Sequence, residues 1–319
     1  MTIQSSRCVA AALLPALALL TGAIATAQNY PEKPIRVYTT GVGGSSDLST
    51  RIIAQAMGGA FAQRMIVDNR ALVSVETVAG APPDGYSLLH YSNVVWLMPL
   101  LQTNVPWDIF RDFVPVVLTV NTPNVLVVHP SLPVKSVKDL ITFVRARPGE
   151  LNYASTSLGA GNHVAAELFN SMAGLKIVRI NYKSMGAGFT DVVSGQIQVM
   201  FPSANSATQY VKSGRLRALA VTSAEPSTLV PDLPTVAAAG LPGYESVAMT
   251  AMFAPAKTPD AIVRRLNTEI NIALKKPETR ERVLTQGTEA MGGTPEQLTA
   301  VIKTEIARLH KIIKSTGLQ

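Results

Sequence analysis

Two loops rich in glycine and hydroxyl side chains have the composition of an anion-binding site. One covers residues 41–47 and the other residues 155–163, and each lies between a strand-like and a helix-like segment. The first N–H groups of a helix lack intrahelical partners and carry partial positive charge, and glycine lets an anion approach them closely. The candidate ligand-binding residues in these loops are Gly43, Gly44, Ser45, Ser46, Ser155, Thr156, Ser157, Gly159, Gly161, Asn162 and His163.

The same loops do not match a catalytic or cofactor-binding motif. None of their serines lies in a G-x-S-x-G elbow or three residues before a lysine, so ligand hydrogen bonding or helix capping is the better interpretation. Asp47 is expected to be the N-cap of its helix rather than a general base. Ser46 breaks the G-x-G-x-x-G fingerprint, and there is no Gly-Lys pair for a P-loop. The sequence therefore predicts no catalytic residue and no cofactor.

A metal site is also not predicted, because the four histidines are far apart and there is no H-E-x-x-H motif. His163 follows the second loop, where contact with the ligand and capping of the turn are both open. Four aromatic residues can either line a pocket or pack in the core, and core packing is the more common fate of such side chains. They are Tyr91, Trp96, Trp107 and Tyr182.

The N-terminus has the pattern of a secretory signal peptide. Arg7 precedes an apolar stretch over residues 9–20, and Ala25 and Ala27 form an A-x-A cleavage site. Residues 1–27 are therefore the predicted signal peptide, cleaved after Ala27, and the mature protein is expected in the periplasm. An uncleaved membrane anchor is the alternative, although the apolar stretch is shorter than the roughly 20 residues that span a bilayer. The single cysteine, Cys8, lies inside the removed segment.

Length and charge limit the possible functions. The 319 residues correspond to about two domains after removal of the signal peptide. The formal net charge is +7, but only 15% of the residues are charged and there is no lysine or arginine block. A mild positive excess favours small anionic ligands. Nucleic acid binding is not expected, because there is no basic stripe with interleaved aromatic residues.

Strand and helix patterns alternate in two series, which predicts two lobes that each contain a parallel, helix-covered sheet. The apolar runs over residues 114–120 and 125–129 are expected to cross between the lobes and form a hinge. Thr258 and Pro259 are predicted as the N-cap and first residue of a helix that packs back on the first lobe. Thr294 and Gln297 are predicted to form a capping box for the last helix. The predicted lobes are residues 28–123 with 250–319, and residues 124–249.

Short motifs along the mature chain resemble the Bug family of periplasmic solute-binding proteins, the receptors of tripartite tricarboxylate transporters. The resemblance is collinear from residue 30 to residue 307. It is carried by the segments Tyr30-Pro31-Glu32-Lys33-Pro34-Ile35-Arg36, Asp68-Asn69-Arg70, Pro83-Asp84-Gly85-Tyr86, Asp112-Phe113-Val114-Pro115-Val116, Pro130-Ser131-Leu132-Pro133, Asn152-Tyr153-Ala154-Ser155, Tyr182-Lys183, Leu216-Arg217-Ala218-Leu219-Ala220, Pro231-Asp232-Leu233-Pro234-Thr235 and Arg265-Leu266-Asn267.

The resemblance implies an α/β, two-lobed periplasmic-binding-protein (Venus flytrap) fold in which two crossover strands act as the hinge. It also implies no catalysis, a carboxylate ligand between the lobes, and delivery to membrane transporter subunits. The two loops would hold the carboxylate, and Tyr182 and Ser203 complete the predicted ligand-binding set. The receptor is expected to be a monomer. Two other hypotheses for the function are a periplasmic sensor and, with less support from the sequence, an exported hydrolase.

The sequence departs from the family pattern in two places. Residues 71–76 replace a proline- and glycine-rich loop, so no ligand-binding residue is assigned there. The segments Ser184-Met185-Gly186-Ala187-Gly188 and Pro202-Ser203 make the far wall of the cleft less polar than is usual in the family. This favours a bulkier or aromatic carboxylate over an amino acid as the ligand.

Overall fold

The strands of the protein form two separate sheets, one of six strands and one of five. The computed structural model describes residues 30–43, 45–156 and 160–316. The predicted signal peptide with its cleavage site lies outside the described residues, as do Gly44, Ser157 and Gly159. The strands are β1 (Ile35–Thr39), β2 (Met65–Asn69), β3 (Ser87–Ser92), β4 (Phe113–Pro123), β5 (Val125–Val128), β6 (Asn152–Ser155), β7 (Val178–Asn181), β8 (Val199–Met200), β9 (Arg217–Val221), β10 (Val247–Pro255) and β11 (Glu289–Ala290).

The six-stranded sheet has the order β11-β4-β10-β3-β1-β2. β1 is parallel to β2 and β3, as the alternation of strands and helices predicts. β10 runs antiparallel to β3 and β4, so the sheet is mixed. β4 and β10 run in opposite directions because β4 leads from this sheet to the other lobe and β10 returns from it. The loops that follow β1 and β2 lie at the same edge of the sheet.

The five-stranded sheet has the order β7-β6-β8-β5-β9. β6 is parallel to β7 and β8, whereas β5 is antiparallel to β8 and β9. As in the first sheet, the antiparallel pairing comes from a strand that crosses between the lobes. The second loop follows β6 in the middle of the parallel part, so it also lies at the carboxyl edge of its sheet.

Helices cover both sheets. They are α1 (Ser45–Ala56), which continues into a 3-10 turn (Met57–Gly59), and then α2 (Val73–Ala79), α3 (Val94–Leu101), α4 (Val137–Arg145), α5 (Gly161–Ala173), α6 (Met185–Val193), α7 (Ala204–Lys212), α8 (Asp260–Lys275), α9 (Pro277–Thr285) and α10 (Pro295–Thr316). α8 packs against α1 and β4, and α10 packs against α3, β4 and α5. The C-terminal helices thus return to the first sheet, and α10 also touches the second lobe. None of the described helices combines the length and the apolar character that a membrane span needs.

β1 shows how the six-stranded sheet is buried on both faces. Ile35 and Val37 pack in a cluster with Ile53 and Leu266, whereas Tyr38 packs in the cluster on the opposite face. Side chains of successive strand residues point to opposite faces, so β1 carries apolar residues toward both faces, apart from the exposed Arg36 near its start. This burial fixes the C-terminal end of β1, from which the first loop begins.

The two connections between the lobes lie side by side. Asn124 alone links β4 to β5, and residues 222–246 lead back from β9 to β10. The Asn124 N–H donates to Thr222 Oγ1 at 2.8 Å, and the Thr222 N–H donates to the Asn124 carbonyl oxygen at 2.9 Å. The Ser246 N–H donates to the Thr222 carbonyl oxygen at 2.8 Å. A hinge of two paired crossing segments matches the predicted two-lobed architecture. The lobe limits themselves stay a prediction.

Helix ends confirm one prediction and correct another. The Gln297 N–H donates to Thr294 Oγ1 at 3.2 Å, and the Thr294 N–H donates to Gln297 Oε1 at 2.8 Å, so the predicted capping box is confirmed. Thr258 is not the N-cap of α8, because the helix begins at Asp260 with Pro259 as its N-cap. The Thr258 hydroxyl instead donates to the Pro255 carbonyl oxygen.

Candidate functional site

The first loop is held by a carboxylate at the start of α1. Asp47, the third residue of that helix, accepts hydrogen bonds from the Gly43 N–H at 2.8 Å, Asn69 Nδ2 at 2.8 Å and Arg51 Nε at 2.9 Å. Gly43 has a φ of 83°, in the left-handed region that glycine adopts without strain. The prediction that Asp47 is the N-cap is wrong, because its side chain folds back over the loop from inside the first turn.

The charge state of Asp47 follows from these contacts. Burial acts to raise the pKa of the carboxyl, but the hydrogen bonds from Asn69 and Gly43 and the Arg51 guanidinium together lower that pKa below its usual value. Asp47 is therefore ionised at neutral pH, with its charge balanced by Arg51. These contacts hold the carboxylate over the loop and keep its pKa low, whereas a general base needs a pKa near the working pH.

A chain of buried polar side chains runs beneath the first loop. Thr50 Oγ1 contacts the Ser46 carbonyl oxygen and lies 2.6 Å from His90 Nδ1. His90 Nε2 lies 2.7 Å from Thr119 Oγ1, which donates to the Thr250 carbonyl oxygen at 2.7 Å. This chain of contacts links the Ser46 carbonyl oxygen, through Thr50 and His90, to Thr119 of β4 and to the backbone of β10. Complete burial lowers the pKa of His90 to about 3, so the imidazole is neutral.

The second loop is supported by an arginine of the neighbouring strand. Arg179 Nε donates to Ser155 Oγ at 2.8 Å, and its Nη2 donates to the Thr156 carbonyl oxygen and to Asn181 Oδ1. Asn162 Nδ2 donates to Thr156 Oγ1 at 3.2 Å, which ties the loop to the first turn of α5. The guanidinium therefore adds positive charge at a loop where a helix N-terminus already favours an anion.

Sequence reasoning did not identify Arg179. In the sheet it pairs with Tyr153 of β6, two residues before the end of that strand, and the guanidinium reaches the loop from there. Its position before the end of a predicted parallel strand was the only available signal. Strand order decides whether such a residue reaches a given loop, and the order is not encoded locally.

His163 is the third residue of α5 and is only 2% exposed. Burial, followed by the nearby Arg179 charge, lowers the pKa of its imidazole to about 4. The imidazole is therefore neutral at neutral pH. Positive potential around the second loop comes from Arg179 and from the helix end rather than from this histidine.

Both loops approach the same short segment of β10. The Ser46 hydroxyl lies 3.5 Å from the Thr250 hydroxyl. A Cβ placed on Gly161, the first residue of α5, would lie 3.5 Å from Cβ of Ala248. Residues two apart on a strand share a face and are separated by about 7 Å. The start of α1 in one lobe and the start of α5 in the other therefore face one narrow region.

The two other predicted site residues have different positions. The Tyr182 N–H donates to the Ser155 carbonyl oxygen at 2.8 Å, so this residue lies next to the second loop. Its hydroxyl donates to Asp191 at 2.6 Å; burial, followed by this carboxylate, raises the pKa of Tyr182 to about 12. Ser203 is the N-cap of α7 and pairs with Asn124 at the hinge.

The remaining aromatic candidates are core residues of the first lobe. Trp96 donates from Nε1 to Glu305 at 3.2 Å, and Trp107 donates to the Val95 carbonyl oxygen at 2.8 Å. Tyr91 is 7% exposed and belongs to the same cluster. An apolar groove of about 370 Å³ lies between α7 and residues 229–233, and none of the residues of the two loops lines it. Within the described ranges, no three His, Cys, Asp or Glu side chains group as metal ligands would.

Comparison with known proteins assigns the family. Residues 49–318 match the model of the tripartite tricarboxylate transporter family receptor. The chain belongs to this family. Its members are periplasmic substrate-binding receptors of tripartite transporter systems, not enzymes, which confirms the resemblance seen in the sequence motifs.

Two relatives match over nearly their whole length. The protein BugT of Bordetella pertussis is 33% identical over 299 residues, with 92% of each chain covered. A protein encoded in the tcbD-tcbE intergenic region of Pseudomonas sp. (strain P51) is 36% identical over 290 residues, covering 89% of this chain and 86% of the relative.

Solved structures share the two-lobed fold. An R. palustris protein with adipate superposes with a TM-score of 0.74 at 32% identity, covering 90% of this chain and 98% of the other. The periplasmic binding protein BugD gives 0.70 at 28% identity, covering 91% and 99%. MatC from Rhodopseudomonas palustris with bound malate gives 0.70 at 25% identity, covering 89% and 100%. The predicted fold class is thereby confirmed.

Proposed function

We propose that the protein is a periplasmic receptor that captures a small organic carboxylate between its lobes and delivers it to the membrane subunits of a tripartite tricarboxylate-type transporter. The observation that supports this most directly is the approach of two helix N-termini, one from each lobe, to Ala248 and Thr250 of β10. Helix N-termini attract anions, and converging ends desolvate an anion as the lobes close. The adipate and malate of the two structural neighbours are carboxylates of this kind.

The proposed ligand-binding set consists of the residues predicted from the sequence, which are those of the two loops together with Tyr182 and Ser203. Arg179 joins it as a residue that positions the second loop, because it touches Ser155 and Thr156. The protein acts without catalysis, as a monomer, after removal of the signal peptide at Ala27. The lobes move about the hinge between residues 28–123 with 250–319 and residues 124–249.

The chemical class of the ligand follows from the wall beside the second loop. Asn162 Nδ2 lies 2.7 Å from Met185 Sδ, so a thioether rather than a charged group flanks the loop there. This contact offers no carboxylate that could pair with the ammonium group of an amino acid ligand. We therefore expect dicarboxylates with an apolar middle, or aromatic acids, to bind more tightly than aspartate or glutamate.

A thermal-shift screen of the mature protein tests the proposal. The panel contains adipate, malate, tricarboxylates, benzoate, aspartate and glutamate, with neutral esters and amides as matched controls. A ligand present at a hundredfold excess over its Kd stabilises the folded state by about 2.7 kcal/mol, which a thermal shift detects readily. Shifts confined to free acids support the proposal, and no shift with any acid contradicts it. Co-purification of the receptor with membrane subunits of a transporter then distinguishes delivery of the ligand to a transporter from ligand sensing.

A further inference from the structure

The side chain of Asn124 is not used by the hinge in which it lies. The main-chain N–H and carbonyl of this residue form the paired bonds with Thr222 that join the two crossing segments. The Val125 N–H donates to the Pro202 carbonyl oxygen at 2.8 Å, which holds the next residue as well. The backbone is therefore fixed on both sides without a hydrogen bond from the Asn124 amide nitrogen.

The Asn124 amide nitrogen is buried without a hydrogen-bond acceptor in the described part of the chain. The residue is 5% exposed, and its Nδ2 is one of the buried polar atoms that lack a partner there. Leaving a buried amide donor unsatisfied costs free energy. An unsatisfied buried donor in a folded protein calls for an explanation, and a bound molecule that supplies the acceptor is one.

Two helix N-termini lie next to Asn124. A Cβ on Gly161, the first residue of α5, would lie 3.7 Å from Asn124 Nδ2. On the other side, the main chain of Asn124 forms an antiparallel bridge with that of Ser203, the N-cap of α7. Each helix end contributes partial positive charge and N–H groups directed out of the helix. A buried donor between two such ends points to an anionic acceptor rather than to a neutral one.

We propose that Asn124 is a ligand-binding residue, whose Nδ2 donates to a carboxylate oxygen held at the floor of the cleft between the starts of α5 and α7. This inference rests on the proposed function, which it deepens by naming a contact outside the two glycine-rich loops. It also assigns a role to Gly161, since any side chain at that position covers the amide.

Gly161→Ala separates binding from stability. The added methyl group fits, because its nearest neighbours are at 3.5 and 3.7 Å, both ordinary contact distances. Alanine is also the better helix former. This variant should therefore fold with an unchanged or higher thermal midpoint while its carboxylate affinity falls, because the methyl group occupies the space in front of Asn124 Nδ2. Gly58→Ala is the matched control, since a Cβ there meets nothing within 4 Å.

Two substitutions of Asn124 test the donor itself. Asn124→Ala removes it, and Asn124→Asp keeps the shape of the side chain but replaces the donor with an acceptor. Both leave the main-chain bonds to Thr222 in place. Loss of a hydrogen bond to a charged group corresponds to about 10- to 100-fold weaker binding, and Asn124→Asp should be the weaker binder of the two. Asn121→Ala, on β4, is the control, since Asn121 presents a buried oxygen rather than a donor.

Isothermal titration with adipate, malate and benzoate measures all five variants against the wild type. At least tenfold weaker binding in Gly161→Ala and both Asn124 variants, with both controls within twofold of the wild type, supports the inference. If the wild type binds an acid and Asn124→Ala or Gly161→Ala binds it with the same affinity, the inference is overturned while the proposed function stands. A wild type that binds no acid of the thermal-shift panel overturns the proposed function and the inference together.

Discussion

The neutral, buried His90 makes the stability of this receptor depend on pH. In the folded protein the pKa of this imidazole is about 3, whereas in the unfolded chain it is about 6.5. Between these two values the unfolded state binds more protons than the folded state. The free energy of unfolding is therefore at its full value above about pH 6.5 and falls as the pH is lowered toward 3.

The size of the effect follows from the two pKa values. At pH 5 the imidazole is almost fully protonated in the unfolded chain and neutral in the folded one, which lowers the free energy of unfolding by about 2 kcal/mol relative to pH 8. The maximum loss, reached below about pH 3, is about 5 kcal/mol. His163, with a pKa of about 4, adds a loss of the same sign and of about 2 kcal/mol at pH 5.

Urea unfolding of the wild type and of His90→Gln at pH 8 and pH 5 measures this contribution. The variant loses the contacts with Thr50 and Thr119, so it is less stable at both pH values. Its loss of stability between pH 8 and pH 5 should nevertheless be smaller than that of the wild type by about 2 kcal/mol, because glutamine does not titrate. An identical loss in both proteins would refute the assignment of a neutral, depressed imidazole to the folded state.

Three further changes have expected outcomes. Ser46→Ala removes the hydroxyl beside Thr250, and carboxylate affinity by titration calorimetry should fall by about tenfold; unchanged affinity removes Ser46 from the ligand-binding set. Arg179→Gln keeps donors for the loop but removes the charge, so the affinity should fall more steeply at low salt than at high salt, whereas an equal loss at both salt concentrations argues against an electrostatic role. Tyr244→Phe breaks the buried bond to the Ala165 carbonyl oxygen and should lower the free energy of urea unfolding by about 1–2 kcal/mol, and a stability equal to that of the wild type contradicts this estimate.

Elements with both a clear pattern and clear flanks could be predicted residue for residue. The mostly apolar residues that follow Pro34 predict a strand over residues 35–39, and β1 has that range. The segment over residues 178–181 likewise predicts a strand, and β7 has that range. Helix α4 begins after Ser136, whose hydroxyl accepts from the Asp139 N–H as an N-cap side chain should. These signals are local, so one sequence is sufficient to read them.

Helix α3 was missed for an identifiable reason. Its residues, Val94–Leu101, are all apolar apart from Pro99, so no polar face marks a helical period and the proline reads as a breaker. The helix forms because its burial in the first-lobe core, where Trp96 is 1% exposed, outweighs the cost of an internal proline. Tertiary packing of this kind is not visible in a window of neighbouring residues.

The candidate site likewise contains residues that the local sequence predicts and residues that it does not. The glycines and hydroxyl residues of the two loops could be found because a turn between a strand and a helix has a local signature. Arg179 and Asn124 could not, because each reaches the site through pairing between segments distant in sequence. Arg179 depends on the pairing of β6 with β7, and Asn124 on the pairing of two crossover segments 98 residues apart.

The position of Asn124 gives the proposed contacts different roles in closure. A single residue links β4 to β5, and its main chain is bonded to Thr222. In the proposed closure the lobes rotate about this point, so atoms close to it move least. A donor placed there keeps the same relation to the start of α5 in open and closed forms. Ser46 belongs to the other lobe, so its distance from α5 changes most as the cleft opens. The hinge amide would thus hold one carboxylate before closure, and the first loop would add its contacts only when the lobes close.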